Sequence, residues 1–167
     1  MVTRTVLEYS CSVWDPYTIG SVRKIENIQR RAARFVLNRY HRRASVTDML
    51  STLKWQPLQK RRQAARLTML YKVHNREVQV DASKLKLLAD TGDRARRGHN
   101  QQFQRLSSHT QDYRMFSFLP RTIREWNELP SEVVTAPSVD SFRSRVTKHV
   151  LHNQLDRLAS ARLQAGL

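Results

Sequence analysis

Ser21-Val-Arg-Lys-Ile-Glu-Asn-Ile-Gln-Arg-Arg-Ala-Ala-Arg-Phe-Val-Leu-Asn-Arg-Tyr40 is the stretch around which the rest of the chain is read. Its spacing predicts an amphipathic helix. Val22, Ile25, Ile28, Ala32, Phe35 and Val36 fall on one arc, and Arg23, Lys24, Arg30, Arg31 and Arg34 gather opposite. Arg23, Arg30 and Arg34 stand at i, i+7 and i+11, so they rise along one line of about 16 Å at about 1.5 Å per residue. Glu26 is the single carboxylate in the helix. A solvated face normally mixes signs for i, i+4 pairing, whereas this one is almost purely basic and points to a polyanion.

Outward from that helix, charge thins quickly. The 167 residues carry 30 Lys and Arg against 14 Asp and Glu, a net +16. Residues 21–72 hold 14 of those basic residues and only 2 of the acids, so most of the excess sits in less than a third of the chain. A field of that density attracts nucleic acid or an acidic membrane surface. The length suffices for a real core in one domain with appendages. The one cysteine, Cys11, excludes disulfides within the chain and cysteine-built zinc knuckles. No uncharged apolar run reaches the ~18 residues of a membrane span. The opening residues lack the apolar segment of a secretory signal, so the expectation is a soluble intracellular chain, in cytoplasm or nucleus.

Upstream, Val2, Val6, Tyr9 and Val13 have helical spacing that stops at Trp14-Asp15-Pro16, because proline disfavours helix in the residue before it. Thr18 or Ser21 caps the basic helix. Downstream, Arg39 to Arg43 is a basic turn. Ser45-Val-Thr-Asp48 has the form of a capping box, with Asp in place of Glu, and opens a short helix. Pro57 suits the first turn of another, Leu58 to His74. That helix has two apolar stripes, Leu58, Ala65, Met69, Val73 and Ala64, Leu67, Leu70, Tyr71, so it is sandwiched rather than laid on a surface. Arg62 falls inside the first stripe, either as a paired buried arginine or as a ligand contact.

Residues 76–119 read as a loop-rich connector, punctuated by Gly92 and Gly98, with a second basic cluster at Arg94, Arg96 and Arg97. Phe103 to Leu106 and Met115 to Leu119 are short and aromatic enough for strands, forming one short β-hairpin. Pro120 to Pro130 is a compact helix turning Ile123, Trp126 and Leu129 inward. Ser138 caps a last helix striped by Val139, Phe142, Val146 and Val150. The apolar positions then shift around the axis, so 151–167 packs elsewhere or frays. The expected fold is mainly α: a basic helical region 1–75, the connector 76–119, a compact helical region 120–150 and a tail.

The chemistry expected is binding. Polymerases and nucleases hold divalent metal between grouped carboxylates, and no such group occurs in the sequence. Asp90 and Asp93 lie in a turn-rich loop, where acids ordinarily form turns. His149 and His152 have a metal-compatible spacing but no Cys or Glu partner. Phosphate-cradling glycine loops and nucleophile elbows are absent. No metal, cofactor, small-molecule substrate or membrane partner is expected. The candidate nucleic-acid contacts are Arg23, Lys24, Arg30, Arg31, Arg34, Arg39, Arg42, Arg43, Arg62, Arg96 and Arg97. Tyr40 and His41 are rings set among arginines and able to stack on bases. Trp14, Trp55 and Trp126, beside proline-marked helix ends, read as core anchors.

Five strings together carry a resemblance. They are Leu7-Glu-Tyr-Ser-Cys-Ser-Val-Trp-Asp-Pro-Tyr17, Ile28-Gln-Arg-Arg-Ala-Ala-Arg-Phe-Val36, Ala65-Arg-Leu-Thr-Met-Leu-Tyr-Lys72, Arg97-Gly-His99 and Pro120-Arg-Thr-Ile-Arg-Glu-Trp-Asn-Glu-Leu-Pro130. In this order the chain resembles, over about residues 6 to 147, the C-terminal part of LINE-type (non-LTR) retrotransposon polyproteins, downstream of the reverse transcriptase palm. The resemblance implies a region that holds template RNA or target DNA while an endonuclease and a polymerase elsewhere do the chemistry. No catalytic residue carries over, since none of the matching strings is catalytic, and the expected chain starts inside an element copy. The rival expectation is a structural module that only packs against upstream reverse transcriptase domains, or an inactive relic.

Overall fold

In a computed structural model, the structure describes residues 8, 10, 11, 14–41, 44–81, 85–88, 99–106 and 116–165, the side chains of 153–165 excepted. The fold is mainly α. Six helices occur among the described residues: α1 (Ile19–Leu37), α2 (Val46–Thr52), α3 (Leu58–His74), α4 (Phe118–Asn127), α5 (Ser131–Val134) and α6 (Val139–Ala165). The chain forms two compact units, Met1–Gln63 and Ala64–Leu167, with the division inside α3.

In the first unit the caps follow the chemistry of the sequence. Thr18, not Ser21, is the N-cap of α1: its Oγ1 accepts the Ser21 N–H at 3.4 Å. Asn38, left-handed at φ 49°, closes the helix. There the Arg39 N–H reaches the Arg34 carbonyl at 3.0 Å and the Asn38 N–H reaches Phe35 at 3.3 Å, the paired bonds of a Schellman ending. Asn tolerates that conformation because its short polar side chain can bond locally. The helix therefore stops at Leu37, and Arg39, Tyr40 and His41 belong to the turn. Ser45 caps α2, its Oγ accepting the Asp48 N–H at 3.3 Å. α1 packs against α2, and Ala33 and Met49 are the fully buried side chains of the two.

The second unit is built on α3 and Trp126. Around most of the circumference of α3 its side chains are buried: Ala64, Arg66, Leu67, Thr68, Leu70, Tyr71 and Val73. Ala65, placed by the sequence in a buried stripe, is exposed. Arg66 is buried, its Nη2 donating to both oxygens of the Glu125 carboxylate at 2.7 and 2.9 Å, which Arg121 also approaches from one turn earlier. Trp126 is fully buried, its ring 5.6 Å from Phe142 and 5.7 Å from Phe103, while Tyr71 stacks on Phe142 at 4.4 Å. The indole N–H donates to the Gln101 carbonyl at 2.8 Å. His99 accepts the Gln101 N–H on Nδ1, which leaves Nε2 to donate to the Trp126 carbonyl at 3.0 Å.

The expected hairpin is corrected. Phe103 pairs antiparallel with Leu87 in an isolated bridge, flanked by Leu88 N–H to Gln102 C=O and Gln104 N–H to Lys86 C=O, both 2.8 Å. Along a strand the backbone groups alternate in direction, so those of Phe103 itself face away from this pairing. The Asn127 side chain takes both of them, accepting from the Phe103 N–H at 2.9 Å and donating to its carbonyl at 2.8 Å. One amide thus stands in for a neighbouring strand. Phe118 and Leu119, expected in the second strand, begin α4. Residues 107–115 lie outside the described residues. α6 runs on as backbone helix to Ala165; how the side chains of the 151–167 tail pack lies largely outside them too.

Candidate nucleic-acid interface

α1 is rotated relative to the simplest reading of its apolar arc. Its buried residues are Gln29 and Ala33, whereas Phe35 is 76 % exposed, Val36 56 % and Ile28 40 %. Gln29 is tolerated inside because it is satisfied. Its Nε2 donates to the Gln56 carbonyl at 2.9 Å and its Oε1 accepts from Arg61 at 3.4 Å. A buried amide with both ends bonded avoids the desolvation cost that makes buried polar groups rare.

Rotation leaves the basic arc outward. Arg23, Lys24, Arg30 and Arg31 are exposed, and Arg34 is half-buried in the last turn, where a cation also meets the negative end of the helix dipole. Arg39, Tyr40 and His41 follow as exposed residues of the turn. Among the described residues, none of Arg23, Lys24, Arg30, Arg31, Arg34 and Arg39 forms an ion pair. Arg42, Arg43, Arg96 and Arg97 lie outside the described residues.

Arg62 does not join them. It is 2 % exposed, donates to Asp15 Oδ1 at 3.1 Å and lies 4.2 Å over the ring of Trp14. The buried, paired role is the one it has, and no face remains for a phosphate. Trp14 is corrected with it: the indole is 41 % exposed, a platform under a guanidinium rather than a core anchor. Arg61 is likewise committed, to Glu8. The arginines on α3 therefore hold acids of this chain, and among the described residues those on α1 do not.

Glu26, the lone acid of α1, has a structural duty. Its Oε1 accepts the Gln59 N–H at 2.8 Å, one of the backbone donors left open in the first turn of α3. Pro57 supplies the preceding carbonyl to Lys60 and Arg61. Beside this junction lies an open cleft of about 290 Å³, lined by Tyr17, Ile19, Val22, Arg23, Glu26, Asn27, Arg30 and Gln59. Sequence reading missed the contribution of Tyr17, Asn27 and Gln59. Tyr17 and Gln59 reach the cleft from outside α1, and the only signal of the meeting was an acid isolated among arginines.

Among the described residues no three His, Cys, Asp or Glu side chains come together as a metal would need, and no helix is long and apolar enough to cross a membrane. Asp90 and Asp93 lie outside the described residues. Burial lowers the His149 pKa below the ordinary histidine value, with neighbouring His152 adding to the shift. Comparison with family models, with curated proteins and with solved structures finds no match to this chain.

Proposed function

We propose that this chain binds RNA and DNA through α1, as a non-catalytic portion of the C-terminal region of a LINE-type reverse transcriptase. One observation carries the binding reading: five basic side chains share the outward side of one helix and spend their charge on no acid among the described residues. Unneutralised arginines held in a row attract phosphates and release their counterions, with little dependence on sequence. Arg39 continues the row past the helix end, and Tyr40, 63 % exposed, offers a ring there. The retrotransposon assignment rests on the resemblance of the strings. Three of them, 65–72, 97–99 and 120–130, supply buried Leu67, Tyr71, His99 and Trp126 to the second unit, with Asn127 bonded to Phe103. The setting that follows is intracellular, cytoplasm or nucleus.

The test is binding of the purified chain to unrelated RNA and DNA sequences across a salt series. With about four to six phosphates neutralised, log K falls against log salt with a slope of about −3 to −5. Salt-independent affinity contradicts the reading. A second reading has its own observation: Phe35, Val36 and Ile28 are exposed on the same helix, as an interface awaiting an upstream domain would be. A chain that binds no nucleic acid in the salt series, but buries Phe35 against reverse transcriptase palm segments added in trans, would favour it.

A further inference from the structure

The cleft beside α1 has a chemistry that a bare phosphate row does not need. Resting on the nucleic-acid reading of α1, we propose that it receives one unstacked base of a single strand, with Tyr17 as the stacking platform. Its volume, about 290 Å³, lies at the small end of ligand sites, too little for a duplex groove and adequate for a base. Its lining residues include one aromatic, Tyr17, two arginines, Arg23 and Arg30, and the polar Glu26, Asn27 and Gln59, beside the apolar Ile19 and Val22.

Each aromatic or polar member has a place in base recognition. Every base has a π-face, so a tyrosine ring holds it without regard to sequence. Arg23 and Arg30 belong at once to the cleft and to the basic row, so a strand tracked by the row passes the cleft mouth. Glu26 engages one carboxylate oxygen with the Gln59 N–H at 2.8 Å, and the other keeps acceptor capacity for an amino or imino group of a base. Asn27 and Gln59 have exposed amides, each both donor and acceptor. Bases in a duplex are stacked and paired and cannot enter such a site without being unstacked, so the cleft selects single strands. A site for phosphate alone would have no use for the ring.

The test measures the full chain against three ligands of equal phosphate number: a mixed-sequence single strand, the same strand made abasic, and a duplex. A single strand carrying 2-aminopurine reports stacking by its fluorescence. The parent is expected to bind the base-bearing strand about tenfold or more tighter than the abasic one, and to quench the probe. Tyr17→Ala and, separately, Asn27→Ala remove part or all of that advantage and leave abasic affinity and helix content unchanged. Tyr17→Phe retains it. Equal, salt-dependent affinity for all three ligands overturns the cleft and leaves the basic row standing. Polyglutamate of matched charge binding as tightly as the base-bearing strand also overturns it. Absence of salt-dependent binding to any ligand overturns both readings together.

Discussion

Trp126 gives its N–H to Gln101 and its ring to Phe103 and Phe142, so truncation removes a hydrogen bond and empties the centre of the second unit. Trp126→Ala is expected to cost about 3–5 kcal/mol of unfolding free energy, and a denaturant melt superposing on that of the parent would contradict the packing. The role was legible, since helical spacing between two prolines turned Trp126 and Ile123 to one side. His74 was not. It meets the rings of Phe103 and Trp126 edge-on at 5.2 and 6.0 Å, and burial lowers its pKa. The unfolded chain then binds the proton more readily than the folded one, so stability falls as pH drops through the ordinary histidine range near 6.5. Thermal melts at pH 7.5 and 5.5 should show the lower midpoint at 5.5, and His74→Gln should narrow the gap. An unchanged gap would mean that His74 is not a source of the dependence. The sequence could not indicate this, because the rings against His74 come from positions 29 and 52 residues further on.

At the level of elements, the ends of α3 are legible because Pro57 marks the start and the apolar positions continue at helical spacing as far as Val73, one residue short of its end at His74. α1 was read as a helix but turned about its axis. Periodicity ranks Phe35 above Gln29 for burial, and only the bonds from Gln29 to Gln56 and Arg61 reverse the order. The strand expected at Met115–Leu119 failed differently: the aromatic run at Phe116–Leu119 suits a strand by composition, but Ser117 is the N-cap of α4 and Phe118 and Leu119 are in its first turn. Glu26 ties two elements of the first unit by capping α3 from α1. Loss of such a cap costs about 1 kcal/mol. Glu26→Ala should therefore lower stability by that amount, while Asn27→Ala, exposed one residue on, should change it little. Equal effects of the two would show that the carboxylate holds nothing.

For the molecule as a whole, the division of labour among arginines carries the functional account. Arg61, Arg62 and Arg66 are committed to Glu8, Asp15 and Glu125; among the described residues the α1 row has no such partner. Among the described residues, Glu125 is engaged by Arg66 and Arg121, whereas a polymerase needs carboxylates free to hold metal against phosphates. Purified chain given primed template, nucleotides and Mg²⁺ or Mn²⁺ should extend nothing; extension abolished by Glu125→Gln would overturn that expectation. The most direct test of the central claim compares the salt dependence of nucleic-acid binding for the parent and for a chain with Arg23, Arg30, Arg31 and Arg34 all changed to alanine. If those side chains neutralise phosphates, the slope of log K against log salt becomes shallower by about 3 to 4 on duplex DNA at unchanged folding. A variant that folds as the parent does and keeps the parent's slope would contradict the account.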